Sequence, residues 1–173
     1  MTSIVIRPYR EEDAPAIGRL IADTYARYNL NSASDELRDK MLGPFREAYS
    51  TDPEHQRQIA EVIRASVVYV AEAAGEIVGV LRGSPGRLSS LFVSGERHRQ
   101  GIGRQLMQTF EDYCRAQGAA KITMASTLYA VPFYQSLGYK KSTGTRRLHS
   151  FEGVGLAYQP MKKVLVSGGV DPG

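Results

Sequence analysis

Three arginines, a histidine, a glutamine and two glycines crowd into one short stretch, Arg97-His98-Arg99-Gln100-Gly101-Ile102-Gly103-Arg104. Residues of these types in this order can bind an anion. Upstream, Leu88-Ser89-Ser90-Leu91-Phe92-Val93 reads as a buried strand. Downstream, Ile102, Leu106, Phe110 and Cys114 recur every four residues. Arg104, Gln105, Gln108, Glu111, Asp112 and Arg115 fall on the other side, so the segment is an amphipathic helix. A helix that begins at such a turn offers backbone N–H groups with no internal partner, and its macrodipole adds partial positive charge there. Gly101 and Gly103 lack a Cβ that would hold an anion away from the backbone. An ordinary strand-to-helix connection with solvated arginines uses the same residues. A Walker loop is excluded, because no Gly-x-x-x-x-Gly-Lys-Ser/Thr run occurs, and the dinucleotide fingerprint fails at Leu106.

The elements that must carry this loop follow from periodicity and end signals. Residues 3–9 alternate as an opening strand, and Asp13 is placed to begin a helix through Ile17, Leu20, Ile21, Thr24 and Tyr28. Ser34 or Asp35 opens a second helix that Gly43-Pro44 ends. Asp52-Pro53 opens a third, with Ile59, Val62 and Ile63 on one face. Residues 67–73 and 76–82 form a hairpin joined by Ala74-Gly75. After the amphipathic helix, residues 119–126 read as a strand. A short helix then runs between Pro132 and Gly138, and residues 161–166 make a last strand. The glycine- and proline-rich residues 167–173 read as a disordered tail.

Composition narrows the function classes. The 173 residues suit one core, and 42% hydrophobic with 23% charged residues is an ordinary balance. A net charge of +4 is modest and partly sits in the loop, and aromatic residues do not interleave with basic ones, so no nucleic-acid partner is expected. No run approaches a membrane span and the first residues are not a signal peptide, so no membrane partner and a cytoplasmic location are expected. Cys114, the single cysteine, lies on the apolar helix face and reads as core packing.

The segment His98-Arg99-Gln100-Gly101-Ile102-Gly103 resembles motif A of the GNAT (GCN5-related) N-acetyltransferases, Gln/Arg-x-x-Gly-x-Gly/Ala, with His98 where the family usually has Gln or Arg. A second stretch agrees. Ala130-Val131-Pro132-Phe133-Tyr134-Gln135-Ser136-Leu137-Gly138-Tyr139 is similar to the family's Ala-x-x-x-Tyr-x-x-x-Gly-Phe/Tyr segment, although Ser126-Thr127 stands where an asparagine is common. The resemblance runs from about residue 3 to 166 and is most specific over 88–139. It implies an α/β (α+β) GNAT fold: a mixed central sheet of about six to seven strands, flanked by about four to five helices and splayed between strands 4 and 5. Residues 1–166 would form a single acetyltransferase domain. The cosubstrate would be acetyl-CoA, with no metal. The pyrophosphate would be held by His98, Arg99, Gln100, Gly101, Ile102, Gly103 and Arg104, and the pantetheine arm by the backbone of Leu91, Phe92 and Val93. Tyr134 would be the general acid toward the CoA thiolate.

The acceptor would be a primary amine of a small molecule or peptide, and a homodimer is compatible with the family. Glu72 is a weak candidate for the base, since the fourth strand offers Ser89 and Ser90 in place of a carboxylate. By the resemblance, the helices of residues 13–65 and the segment 143–159 would surround the acceptor mouth, where Tyr25, Tyr28 and Tyr49 are candidates to line it, although each also fits simple packing. A non-catalytic acyl-CoA-binding sensor or interaction domain is the alternative.

Overall fold

The computed structural model describes residues 2–28, 33–147 and 157–165. The expected tail (167–173), most of the polar segment before the last strand, and the side chain of Tyr28 lie outside the described residues.

The chain opens with β1 (Ile4–Pro8) and three helices, α1 (Ala14–Tyr28), α2 (Asp35–Leu42) and α3 (Pro53–Ile63). Their starts follow local chemistry. Ser34 Oγ accepts the Leu37 N–H, and the Asp52 carboxylate accepts the Glu54 N–H just before Pro53. Asp13 serves differently from the expected cap. A 3-10 turn, Glu11–Asp13, precedes α1, and the Asp13 carboxylate accepts the Arg10 N–H and two N–H groups of Arg7.

Four strands and a helix come next: β2 (Val67–Ala73), β3 (Glu76–Ser84), β4 (Arg87–Val93), α4 (Ile102–Ala116) and β5 (Lys121–Thr127). The β2–β3 turn, Ala74-Gly75, has φ of 51° and 80°, the two left-handed residues that a tight two-residue hairpin requires. Pro85-Gly86, with Gly86 at φ 80°, closes β3 onto β4. The chain then adds α5 (Val131–Ser136), two dipeptide strands, β6 (Lys140–Lys141) and β7 (Arg146–Arg147), and β8 (Ala157–Val164). The last strand thus starts four residues before the expected Met161, because Tyr158 to Pro160 pair with residues 125–127 of β5.

The sheet runs β1-β2-β3-β4-β5-β8-β6, with β7 also on β8. Every pair is antiparallel except β4 with β5. One core lies under α1–α3 and contains Ile17, Ile21, Phe45, Ile59, Ile63, Val70 and Val80. The other lies under α4 and α5 and contains Leu81, Leu88, Ile102, Leu106, Phe110, Ile122 and Tyr134. A mixed sheet with helices on both faces is the α/β architecture the sequence implied, and the two dipeptide strands account for the larger strand count. No helix among the described residues is long and apolar enough to cross a membrane.

Candidate functional site

The expected break in the sheet exists, and its cause is local. Arg82 pairs with Ser90 and Gly83 with Leu88, so Ser89 is an extra residue in β4. Such a bulge bends its strand and disrupts the ladder. On its other edge β4 pairs with β5 at one position only, Arg87 with Thr123. The Thr123 N–H to Gly86 carbonyl bond (2.9 Å) holds the two strands together at that end. From Ser89 to Val93 no pairing of β4 with β5 occurs among the described residues, so that edge is open backbone and the strands part toward the loop that begins α4.

The side chains of β4 are used to build the core. Leu91 and Val93 pack under α4, while Phe92 packs on the other face, its ring edge-on to Tyr25 at 6.0 Å. All three side chains are half-buried, and the backbone of the strand is what its open edge presents. Arg82, missed in the sequence, steadies this strand. Its guanidinium donates to the Val62 and Ile63 carbonyls at the end of α3 (2.5 and 2.8 Å) and lies 3.4 Å from Ser90 Oγ. Burial lowers its pKa. A cation on the last carbonyls of a helix suits both the dipole and the unsatisfied oxygens.

The loop after β4 is a 3-10 turn, Gly95–Arg97, and then a backbone reversal. His98 Nε2 lies 2.9 Å from the Val93 carbonyl, which can only accept, so the ring nitrogen donates and the side chain fastens the loop to β4. Arg99 (φ 63°) and Gly101 (φ 79°) are left-handed. Successive N–H groups in this alternation form a concavity suited to an anion. Gly101 is the N-cap of α4, and no side chain caps that helix. The first N–H groups of α4 are thus left without the usual partner. Ile102 is 1% exposed, so only its backbone can reach a ligand, whereas Arg99 and Gln100 are exposed. Gly103 also has a packing role. A Cβ there would lie 3.1 Å from Phe133 Cζ and 3.7 Å from Val93 Cγ2, so the missing side chain lets α4 start close against α5 and β4.

That close approach brings α5 to the loop. Tyr134, one residue after Phe133, is 6% exposed, and its ring meets Phe133 at 5.1 Å and Tyr139 at 5.9 Å, both edge to face. Burial alone raises the phenol above its ordinary value of 10. The helix ends in a Schellman arrangement, with the Tyr139 N–H on the Tyr134 carbonyl, the Gly138 N–H on the Gln135 carbonyl, and Gly138 at φ 92°. Pro132 and Gly138 thus bound this helix as the sequence suggested.

Two sequence readings change here. Glu72 sits on β2 with its carboxylate on Arg7 Nε (2.8 Å), inside a cluster that includes Asp13, and is separated from β4 by the whole of β3. It is engaged as a structural ion pair. Glu111, placed by helical spacing on the solvent side of α4, is 4% exposed. It accepts from the Tyr139 hydroxyl (3.0 Å) and from Lys163 Nζ (3.1 Å to each oxygen). Nothing in the local pattern of α4 could have shown this, because Lys163 arrives from β8, fifty-two residues later. Cys114 is fully buried, its thiol raised by burial, and its sulfur receives the Gly86 N–H, as expected of core packing. Tyr49 is 66% exposed and bonded to Asp23. Among the described residues there is no cluster of His, Cys, Asp and Glu that could hold a metal ion.

Comparison with known proteins agrees with this fold. Human N-acetyltransferase 8 is 33% identical in an alignment spanning 46% of this chain and 40% of that protein. The chain therefore matches less than half the length of this curated relative. The crystal structure of a GCN5-related N-acetyltransferase from Rhodopseudomonas palustris superposes with a TM-score of 0.75 at 20% identity, covering 95% of this chain and 98% of that one. PaiA N-acetyltransferase from Thermoplasma acidophilum, solved in complex with coenzyme A, gives 0.63 at 18% identity, covering 94% and 99%. The family model for the acetyltransferase (GNAT) domain matches residues 33–165, and the chain belongs to the GNAT acetyltransferase family.

Proposed function

We propose that this protein is an acetyl-CoA-dependent N-acetyltransferase acting on a primary amine of a small molecule or peptide. The observation that carries the reading is a convergence. The open edge of β4 leads into the uncapped start of α4, and α5, which carries Tyr134, packs on that start through Phe133. Acetyl-CoA bound there would supply a thioester, an acyl donor with a thiolate leaving group. The N–H groups of residues 99–104 would face the pyrophosphate, with Arg99 and Arg104 adding charge. The backbone of Leu91, Phe92 and Val93 would pair with the amides of the pantetheine arm.

In the reaction the acceptor nitrogen forms a bond to the acetyl carbon, the C–S bond breaks, and the proton lost by the amine is matched by one gained by the thiolate. Tyr134 would donate to the sulfur as that bond breaks. A free alkyl amine has a pKa of about 10 and arrives protonated at neutral pH, so the acceptor must also lose a proton before attack. Glu72, held by Arg7, is not assigned that task.

The test has two arms. Acetyl-CoA and CoA should raise the melting temperature, while dephosphorylated pantetheine should do so far less. At ligand one hundredfold above Kd the expected gain is about 2.7 kcal/mol. Free-thiol release should then appear with at least one member of a panel of amines, amino acids, polyamines and peptides. Stabilisation without turnover across the panel selects the sensor reading, and stabilisation by pantetheine equal to that by CoA removes the anion loop from the site.

A further inference from the structure

We infer that Glu111 is a positioning residue for Tyr134, acting through Tyr139 to fix the buried phenol relative to the helix that opens on the anion loop. The inference rests on the proposed role of Tyr134. Glu111 sits nine residues into α4, about 13 Å along its axis from the first turn. It is buried, and a buried carboxylate is costly unless it is paired and its oxygens are satisfied. Here both conditions hold. Lys163 Nζ is 3.1 Å from each oxygen, Arg115 approaches to 3.6 Å, and the Tyr139 hydroxyl donates at 3.0 Å. Lys163 also lies 5.6 Å from the centre of the Tyr139 ring. Tyr139, 1% exposed, is thus held at its hydroxyl by α4 and over its ring by β8.

Tyr139 holds Tyr134 twice in turn. Its N–H is on the Tyr134 carbonyl at 3.0 Å, and its ring meets the Tyr134 ring at 72°. The orientation of the Tyr134 phenol rests on this packing and on Phe133. The ion cluster is not needed to fill space. Well-packed apolar groups of similar volume often serve stability as well or better. What charge and hydrogen bonds add is a fixed position, and an error of about 1 Å at a reacting group costs roughly a hundredfold in rate.

The experiment is a double-mutant cycle of Tyr139→Phe with Tyr134→Phe, measured with saturating amine under conditions where chemistry limits. Tyr139→Phe keeps the ring and loses only the hydroxyl. It should lower kcat roughly tenfold while leaving the KM for acetyl-CoA unchanged, and should lower it no further in the Tyr134→Phe background. Glu111→Gln, whose amide oxygen still accepts from Tyr139, should retain more of kcat than Glu111→Leu. A factor for Tyr139→Phe that is the same in both backgrounds, or a kcat equal to wild type, overturns the inference.

If Tyr134→Phe itself leaves kcat unchanged, the general-acid reading fails, and positioning is then judged directly. In protein labelled with 13C at tyrosine Cζ, the Tyr134 signal is identified by its loss in Tyr134→Phe. Tyr139→Phe should shift or broaden that signal, and an unchanged Tyr134 signal sinks the proposal.

Discussion

Replacing Tyr134 by phenylalanine should move activity and stability in different directions. A free phenol near pKa 10 and a free thiol near 8.5 already make full proton transfer to a thiolate uphill. Burial raises the Tyr134 phenol further, so transfer is harder still in the folded protein. The group is better suited to donate a hydrogen bond to sulfur as negative charge develops than to surrender its proton. A hydrogen bond to a charged group contributes about 1.5–3 kcal/mol, which corresponds to roughly ten- to a hundred-and-fiftyfold in kcat. Affinity for CoA should hardly change, because the bond forms only as sulfur gains charge. Stability should not fall. Burial is what raises the phenol, so removing the hydroxyl removes a desolvated polar group while the ring keeps its contacts with Phe133 and Tyr139. Each kcal/mol gained would raise the melting temperature by about 2–4 °C in a chain of this size. Single-turnover thiol release and calorimetry on the same preparations would measure both effects. A variant with wild-type single-turnover rate refutes the donor role. A melting temperature several degrees lower shows instead that the hydroxyl supports the core.

Arg99→Gly relieves a left-handed φ of 63° on a residue with a side chain, so unliganded stability should stay level or rise by up to about 1 kcal/mol while CoA affinity falls roughly tenfold. Titration calorimetry at low and high salt checks this, since the loss must shrink as salt rises; unaltered affinity at low salt removes Arg99 from the anion site. Ala74→Asn places a residue tolerant of left-handed backbone in the β2–β3 turn and should add about 0.5–1 kcal/mol, read as a higher urea midpoint with unchanged slope. Tyr134 and Tyr139 have folded pKa values raised above 10, Tyr134 by burial and Tyr139 by burial and then by the Glu111 charge, so the fold binds their protons more tightly than the open chain. Their contribution is therefore complete below pH 10 and lost as pH rises through the folded values, and urea midpoints should fall above pH 10 less steeply in Tyr134→Phe than in wild type.

What was legible in the sequence was local. Ser34, Asp52 and Pro53 mark helix starts within one turn, Ala74-Gly75 marks a hairpin within two residues, and the four-residue recurrence of Ile102, Leu106, Phe110 and Cys114 sets the buried face of α4. The loop from His98 to Arg104 and the α5 segment were equally visible, because a helix start and a helix stop are written in adjacent residues. Pairing over long distances was not. Ser89 looks like any strand residue until Arg82 and Gly83 are placed opposite its neighbours. Glu111 looks solvent-facing until Lys163 and Tyr139 arrive, and Arg82 gains its role only when α3 ends above it. The dipeptide strands β6 and β7 exist because β8 lies beside them, not because two residues carry a pattern.

The bulge at Ser89 connects these levels. A strand in the middle of a sheet normally satisfies its N–H and C=O groups on both edges, and buried groups left unpaired are costly. By turning β4 away from β5 after Arg87, the extra residue leaves one edge of the strand open between two helical layers. The other edge is laddered to β3 on either side of Ser89, and Leu91, Phe92 and Val93 anchor the strand in both cores, so the opening does not close by local collapse. What such an edge can accept is an extended chain with its own alternating amide donors and acceptors, and an acyl donor with an amide-bearing arm has that chemistry. In the proposed reading that arm ends in an anion, because the open strand leads into the uncapped start of α4 and the exposed Arg99. Amides along the strand and an anion at the helix are two separate demands. In the proposed reading a single ligand meets both, along the open edge of the strand that carries the bulge at Ser89.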